Sequence, residues 1–176
     1  KVWDTNKKSY LDFIAGIAVN SLGHGHPAMC NAIRKQSKKL IHVSNLYYTE
    51  PAAKLAKTLS DISLGGKVFF CNSGAEANEA LFKLAKLAGA DQGRTEIITF
   101  SNSFHGRTLG GISATAQAKV KVGFEPLLEC FKHAIFNELD SVKELLSIKT
   151  AGILVEPIQG EGGINVATPE FMQGLR

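Results

Sequence analysis

The chain of 176 residues is long enough for one domain with a substantial core, since 44% of its residues are hydrophobic. Charged residues make up 20% of it, and the glycines and prolines are dispersed, which argues against a disordered or fibrous protein. The net charge of +4 is scattered, without the basic stripe interleaved with aromatics that nucleic-acid binding requires. We therefore expect a protein that does not bind nucleic acid.

Neither a membrane span nor a secretory signal is recognisable in the sequence. No apolar run approaches the roughly 20 residues that a bilayer requires. The three cysteines, an odd number without C-x-x-C spacing, favour free thiols in a reducing cytosol. These features predict a cytoplasmic protein without a membrane partner.

Residues 1–62 predict a hairpin, a loop and two helices. The apolar runs 2–3 and 10–14 flank a polar stretch, as in a β-hairpin. The Gly- and His-rich loop 23–27 precedes a helix that Pro27 can open and that runs to about Leu40. A second helix begins at Glu50-Pro51, and its apolar positions follow the 3.6-residue period. Those positions are Ala52, Leu55, Ala56, Leu59 and Ile62.

From residue 67 onward, apolar strands alternate with amphipathic helices. Strands are predicted at residues 67–71, 96–100, 131–136 and 151–155. Helices are predicted at residues 75–88 and 139–146, and again after Thr168-Pro169-Glu170. This alternation predicts an α/β domain whose mainly parallel sheet is covered by helices on both faces.

The passage VFFCNSGAEANEALFKLAK, residues 68–86, carries the strongest chemical signal. It predicts a buried strand that ends at Cys71, an inert core thiol, followed by a tight turn and a long helix. Ser73 can cap that helix while Glu76 reaches back in a capping box. Free N–H groups at the helix start would form an anion site, and Gly74 lets a phosphate come close. An ordinary capped helix without a ligand fits the same geometry.

A second candidate segment is SFHGRTLG, residues 103–110, which follows a predicted strand. Phe104 can stack on a flat ring, and Arg107 can bind a carboxylate through its planar fork. Taken singly, Phe104 is better explained as a core phenylalanine and Arg107 as a surface arginine. Because ligands of open α/β sheets bind at the carboxyl ends of strands, we expect this loop to lie beside the turn at Gly74.

Two other patterns are weaker. The run Gly160-Glu161-Gly162-Gly163 resembles part of a dinucleotide fingerprint, but Asn165 occupies the third glycine position and no helix opens there. His24 and His26 could chelate a metal, but they lack cysteine or carboxylate partners. We expect no metal site, and we expect His26 to fix the entry to the following helix.

Five motifs in order resemble the class III, ornithine-type aminotransferases. They are GIAVNSLGHGHP (16–27), SNLYYTEP (44–51), FCNSGAEANEA (70–80), SFHGRTLG (103–110) and VEPIQGEGG (155–163). The resemblance implies a fold-type I transferase, a homodimer with active sites at the subunit interface, and pyridoxal 5′-phosphate (PLP) as electron sink. It also implies that residues 1–45 form an N-terminal segment and residues 46–176 the first part of the large PLP-binding α/β domain.

The resemblance assigns cofactor-binding roles to six positions. These positions are Ser73, Gly74, Ala75, Phe104, His105 and Glu156. The first three match the phosphate-binding turn of the family. Phe104 matches the aromatic residue stacked on the cofactor ring, with His105 alongside. Glu156 matches an acidic residue that lies near the cofactor without touching it.

Four further positions match residues that meet the substrate: Arg107, Glu161, Ile17 and Tyr48. Arg107 matches the residue that binds a substrate carboxylate. Glu161 matches a switch glutamate that pairs with a distal arginine while the donor is bound and releases it for 2-oxoglutarate. Tyr48 would wall the substrate channel, although core or interface packing explains it equally well.

Ile17 bears on the identity of the donor. Ornithine aminotransferases carry a tyrosine there, which engages the free α-amino end, whereas an aliphatic residue suits an acylated α-amino group. The residues of the first two motifs are also most similar to those of acetylornithine aminotransferases. This resemblance predicts transfer of the terminal amino group of N2-acetylornithine to 2-oxoglutarate, in arginine or lysine biosynthesis. The alternatives are a 4-aminobutyrate, ornithine or succinylornithine enzyme, or a non-catalytic PLP-fold binding domain.

The resemblance finally implies a partial chain. In this family the Schiff-base lysine, the D-E-x-Q motif and the distal arginine lie downstream of the position that matches Arg176. We therefore expect that residues 1–176 contain no catalytic residue and that the C-terminal domain is absent from them.

Overall fold

The computed structural model describes residues 1–176 and divides them into two compact units, Lys1–Val68 and Phe69–Arg176. The predicted boundary after residue 45 concerns a larger protein and stays a prediction. None of the helices is long and apolar enough to cross a membrane.

The first unit contains the predicted hairpin and the two predicted helices. Strands β1 (Val2–Trp3) and β2 (Ser9–Tyr10) pair antiparallel, so the hairpin is confirmed with a shorter second strand than expected. Helices α1 (Pro27–Ser37) and α2 (Glu50–Asp61) follow. Each has a proline in its first turn, where the missing N–H costs no hydrogen bond.

Residues 1–68 include no buried side chain. The apolar stripe of α2 is solvent-exposed, with Leu55 at 50%, Leu59 at 37% and Ile62 just beyond the helix at 76% exposure. Because helical stability in proteins comes mostly from packing such a stripe, this unit gains little hydrophobic stabilisation from its own residues.

The second unit is built on a three-stranded parallel sheet. Strand β3 (Glu96–Phe100) lies between β4 (Phe131–Ala134) and β5 (Thr150–Ile153). The helices of this unit are α3 (Gly74–Gly89), α4 (Leu109–Ala114), α5 (Leu139–Leu145) and α6 (Pro169–Leu175). A small antiparallel pair, β6 (Ile158–Gln159) and β7 (Asn165–Val166), precedes α6.

The core of the second unit covers both faces of the sheet. Successive residues of a strand point to opposite faces. Accordingly, Ile97 packs in one cluster with Phe82 of α3, and Ile98 in another with Phe171 of α6. The predicted parallel α/β arrangement with helices on both faces is therefore confirmed.

Two local predictions are wrong. Residues 67–71 form no strand, and Phe69 and Cys71 are exposed, so that thiol is not core. An apolar run predicts a buried strand only where a neighbouring strand pairs with it, and the sheet pairs none with this segment. Helix α4 was missed because Gly110 and Gly111 have low helix propensity.

Candidate functional site

The carboxyl end of the parallel sheet holds three of the six predicted cofactor-binding residues, Phe104, His105 and Glu156. Strand β3 leads into residues 101–108, which contain Phe104, His105 and Arg107, and Glu156 follows β5 closely. The backbone N–H of Phe104 donates to Glu156 Oε2 at 3.2 Å. The segments that follow two neighbouring strands are thus joined at the edge where such sheets bind ligands.

Helix α3 begins with the predicted cap. Ser73 is extended, and its Oγ accepts a hydrogen bond from the Glu76 N–H at 3.2 Å. Glu76 Oε2 accepts from the backbone N–H of Asn72, one residue before the cap, rather than from the cap residue itself. This N–H holds the pKa of Glu76 below its ordinary value. The capping box therefore forms in a shifted version.

The start of α3 is open and has the features of an anion site. The N–H groups of Gly74 and Ala75 have no acceptor within the helix. A Cβ built on Gly74 would have no other heavy atom within 4 Å, so the space beside it is free. The aligned peptide dipoles of this 16-residue helix favour negative charge at that end.

The loop that carries Phe104 and Arg107 lies against the first turns of α3. Gly106 has φ +109°, and a Cβ built on it would stand 3.1 Å from Ala75 Cβ. Asn78 Nδ2 donates to the backbone oxygen of His105 at 3.0 Å. The prediction that this loop lies beside the turn at Gly74 is confirmed. Only glycine combines the left-handed backbone with so close an approach.

His105 anchors the same loop from inside. It is only 3% exposed, and its backbone N–H donates to Thr115 Oγ1 at 2.8 Å. Burial, with a smaller electrostatic contribution from His133, lowers the pKa of His105 to about 4. The imidazole is therefore neutral at pH 7, and its buried Nε2 has no hydrogen-bond partner.

Phe104 and Arg107 present an aromatic face and a free cation. The guanidinium carbon of Arg107 lies 5.7 Å from the centre of the Phe104 ring, within cation–π range. Arg107 is exposed and takes part in none of the salt bridges of the structure. Its planar fork is accordingly available to a carboxylate.

Two glutamates belong to segments that contact this loop or the residues just before it. Glu156 is half-buried, and burial raises its pKa, while the Phe104 N–H acts in the opposite direction. Glu161 is exposed on the turn between β6 and β7. A Cβ on the adjacent Gly162 would come within 2.5 Å of Asn102 O, so this turn packs against the segment after β3. No helix starts at this glycine-rich turn.

Ile17 and Tyr48 belong to the first unit, and their predicted substrate roles stay predictions. Both are exposed, and Ile17 has a left-handed backbone with φ +55°. The nearby histidines have structural partners: His24 Nε2 lies 2.7 Å from Asp12 Oδ2, and His26 Nδ1 caps α1. The structure contains no group of three or more His, Cys, Asp or Glu side chains that could hold a metal ion.

Three supporting residues were not identified from the sequence: Asn78, Thr108 and Thr115. Thr108 Oγ1 accepts from the Gly111 N–H at 2.9 Å and lies 2.5 Å from Glu79 Oε1, so it caps α4 and joins it to α3. A threonine before a short apolar run is a helix-start signal that could have been used. The contact of Asn78 spans 27 residues of sequence, and no local pattern reports it.

Comparison with known proteins gives a consistent result over the whole chain. The family model "Aminotransferase class-III" matches residues 1–176. An acetylornithine aminotransferase of Caldanaerobacter subterraneus subsp. tengcongensis is 53% identical over 100% of this chain and 46% of its own length. An acetylornithine aminotransferase of Methanocaldococcus jannaschii is 49% identical over 100% and 45%. A succinylornithine transaminase of Yersinia pseudotuberculosis is 49% identical over 99% and 44%.

Solved structures resemble the chain over nearly its whole length at lower sequence identity. The ornithine aminotransferase of Toxoplasma gondii superposes with a TM-score of 0.90 and 27% identity, covering 98% of this chain and 42% of its own. A Bacillus anthracis aminotransferase gives a TM-score of 0.89 and 32% identity, covering 98% and 44%. The chain thus spans less than half the length of the relatives that it matches.

Proposed function

Because the chain belongs to the class III aminotransferase family, we propose that the full-length protein transfers the terminal amino group of N2-acetylornithine to 2-oxoglutarate, with pyridoxal 5′-phosphate as cofactor. The observation that carries this proposal is the junction of the Phe104–Arg107 loop with the open start of α3. The donor is supported by two acetylornithine aminotransferases at 53% and 49% identity. The reaction would belong to arginine or lysine biosynthesis.

The residues present at the sheet edge fit the proposed cofactor. Ser73, Gly74 and Ala75 would hold the phosphate, since two N–H groups there lack an acceptor and the space beside Gly74 is free. Phe104 is half-buried and would cover the flat ring. His105, neutral and buried, would hold the loop in place and add no charge of its own.

When bound, the cofactor supplies a conjugated ring that accepts electron density from a substrate carbon as it loses its proton. The residues of this chain bind and orient. Arg107 would hold the α-carboxylate of the donor through two parallel hydrogen bonds. Glu156 accepts the 3.2 Å hydrogen bond from the Phe104 N–H. Through this bond it would fix the Phe104 backbone near the cofactor ring. Glu161 would act as the switch that pairs with an arginine outside this chain.

The choice of amino donor rests on Ile17 and on the relatives named above. Ile17 offers no polar partner to a free α-amino group, which suits an acylated donor. Succinylornithine is the second candidate, because a succinylornithine transaminase is 49% identical over 99% of the chain. The two acylated donors differ by a carboxylate, so Tyr48 and its neighbours would meet a different charge in each case.

The test uses the purified full-length protein. Pyridoxal phosphate is titrated in and followed by visible absorption, and kcat/KM is measured for N2-acetylornithine, N2-succinylornithine, ornithine and 4-aminobutyrate with 2-oxoglutarate. We expect a shifted cofactor spectrum and the highest kcat/KM for N2-acetylornithine. A preference for another donor would replace the substrate assignment. A cofactor spectrum without any transfer would favour a non-catalytic binding domain.

We also propose that the protein is a cytoplasmic homodimer. The three cysteines are free thiols, as a reducing compartment would keep them. Large apolar side chains on both units are exposed, and a second subunit would cover part of them. The domain assignment proposed for the full-length protein is an N-terminal segment, residues 1–45, and the first part of the large cofactor-binding domain, residues 46–176. Light scattering of the purified protein measures the subunit number, and a monomeric mass would exclude the dimer.

A further inference from the structure

We propose that Asp12 and His24 form a clamp that positions the loop carrying Ile17 and thereby helps to set donor choice. This Asp12–His24 clamp joins the two ends of residues 13–23. The inference rests on the proposed function, in which Ile17 faces the acylated end of the donor. Asp12 and His24 are positioning residues and do not themselves touch the substrate.

The contacts of Asp12 use both of its carboxylate oxygens. Oδ1 accepts hydrogen bonds from the backbone N–H groups of Ile14 at 3.1 Å and Ala15 at 2.8 Å, which fixes the start of the loop. Oδ2 meets His24 Nε2 at 2.7 Å, which fixes its end. The Asp12 side chain is 15% exposed and the His24 side chain 47%, so the clamp lies at the surface with its carboxylate turned inward.

The charge state of Asp12 suits this role. The hydrogen bond from His24, followed by that from the Ala15 N–H, holds the pKa of Asp12 below its ordinary value. The carboxylate is therefore ionised at neutral pH and accepts from all three donors. Hydrogen bonds to a charged acceptor are stronger than neutral ones.

The loop backbone explains why a clamp is required. Ala15, Gly16, Ile17 and Ala18 have φ values of +49°, +65°, +55° and +62°. Left-handed backbone is unfavourable for each residue with a Cβ, and a β-branched residue such as isoleucine is among the least suited to it. The internal hydrogen bonds, Ala18 N–H to Ile14 O and Asn20 N–H to Ala15 O, offset part of this cost. The hydrogen bonds of Asp12 at the loop ends offset a further part of it.

Release of the clamp would therefore let Ile17 leave its position. The α-carboxylate of the donor would still be held by Arg107, and the cofactor by its own binding residues. A loosened loop should weaken recognition of the acyl group, which appears in KM, while kcat changes little.

The experiment compares variants of the full-length enzyme. Asp12→Ala and His24→Ala each remove the clamp, His24→Gln keeps an N–H donor, and the double variant tests whether the two residues act as a unit. Asp4→Ala is the matched control, because Asp4 accepts from two backbone N–H groups, of Asn6 and Lys8, in a different turn. Asp12→Asn, which keeps a backbone acceptor, replaces Asp12→Ala if the latter does not fold.

Two readouts are measured: the ratio of kcat/KM for N2-acetylornithine to that for ornithine, and hydrogen exchange of the amides in residues 13–23. We expect either alanine variant to lower the ratio about tenfold, chiefly through KM. The double variant should be no worse than the singles, because the two effects are coupled. Exchange should accelerate in the same variants, and His24→Gln and Asp4→Ala should stay near wild type.

The outcomes distinguish the existence of the Asp12–His24 clamp from its role in donor choice. Unchanged exchange in the Asp12 and His24 variants would overturn the clamp whatever the donor is. Faster exchange with an unchanged donor ratio would overturn its role in specificity. A wild-type enzyme that does not use N2-acetylornithine would overturn the proposed function and the donor link with it, while exchange would still decide whether the clamp exists.

Discussion

The guanidinium of Arg107 lies over the Phe104 ring without an acidic partner, so a bound carboxylate would be its first counter-ion. Arg107→Lys keeps the positive charge but removes the planar fork that fixes distance and orientation. We expect kcat/KM for N2-acetylornithine to fall by roughly 2–4 kcal/mol of transition-state stabilisation. Cofactor affinity should stay nearly unchanged.

Steady-state kinetics and cofactor titration on the full-length enzyme measure both effects. Arg34→Lys, at an exposed position in the last turns of α1, is the control for an Arg-to-Lys change. If Arg107→Lys turned over acetylornithine as fast as wild type, the carboxylate would have to be held elsewhere.

Gly74 allows a test of the phosphate position without damage to the protein. A side chain there would meet no other atom of the protein within 4 Å, and the backbone is not left-handed. Gly74→Val should therefore fold, yet crowd an anion at the start of α3 and weaken cofactor affinity more than about tenfold, or about 1.4 kcal/mol. Gly74→Ala should have a smaller effect. Equilibrium titration with pyridoxal phosphate measures it, and undiminished affinity in Gly74→Val would contradict the placement.

The buried His105 should make the free energy of unfolding sensitive to acid. Its pKa is about 4 in the folded chain, against an ordinary value near 6.5. The unfolded chain therefore binds the proton more readily, and the stability contribution of His105, complete above about pH 6.5, is lost as the pH falls towards 4. We expect His105→Asn to reduce the loss of unfolding free energy over this range.

Urea unfolding of the full-length enzyme at several pH values measures this dependence. His42→Asn, which changes an exposed histidine, is the control for a His-to-Asn change. An identical slope in wild type and His105→Asn would show that other groups carry the acid sensitivity.

The parts of the site that were predictable from the sequence are those that local spacing encodes. The hydrogen bond from the Glu76 N–H to the Ser73 side chain joins positions three residues apart, and the serine–glutamate spacing in the sequence predicts this helix cap. The contact between Asn78 and His105 is long-range, and so is the hydrogen bond from Phe104 to Glu156. Only the topology of the sheet brings these residues together.

The start of α3 has two functions that a single residue can separate. Ser73→Ala should lose the cap hydrogen bond and lower the unfolding free energy by about 1 kcal/mol. Ser73→Asp should cap the helix as well as serine does, but place a negative charge where a phosphate would bind. We expect Ser73→Asp to melt like wild type without cofactor, yet to bind pyridoxal phosphate at least about tenfold more weakly.

Thermal melts of the cofactor-free protein and cofactor titrations measure the two properties separately. Equal cofactor affinity in wild type and Ser73→Asp would mean that the helix start is an ordinary cap without a ligand.

Most elements follow from periodicity, and the exceptions have physical causes. Strand β3 lies where it was predicted, because Ile97, Ile98 and Phe100 are buried in a strand with neighbours on both sides. Residues 67–71 have a similar apolar composition but no strand beside them, so composition alone misplaced them. Helix α4 is short and glycine-containing, and burial rather than propensity stabilises it.

At the scale of the whole molecule, the two units differ in how much apolar surface they bury. Residues 69–176 bury aromatic side chains on both faces of the sheet, with Phe82 and Phe131 in edge-to-face contact at 4.9 Å and Phe100 and Phe171 at 5.3 Å. Residues 1–68 bury none. Because burial of apolar surface is the main driving force of folding, the units should differ in independent stability.

This difference gives a prediction for the isolated polypeptides. Residues 1–176 expose large apolar side chains on or just after α2 and on α3, including Leu55, Ile62 and Leu84 at 50%, 76% and 61%. Expressed alone, residues 1–176 should therefore bind hydrophobic dyes and aggregate or stay partly unfolded. Residues 69–176 should keep more of their helical circular dichroism on dilution into urea than residues 1–68, which lack a core.

Sedimentation velocity, dye binding and urea titrations on the three polypeptides measure these properties. A soluble monomer of residues 1–176 that melts cooperatively would contradict the expectation, because exposed apolar faces of this size would then be compatible with an autonomous fold. That result would favour a non-catalytic binding domain, in which the exposed apolar side chains of residues 1–176 do not have to be covered by further protein.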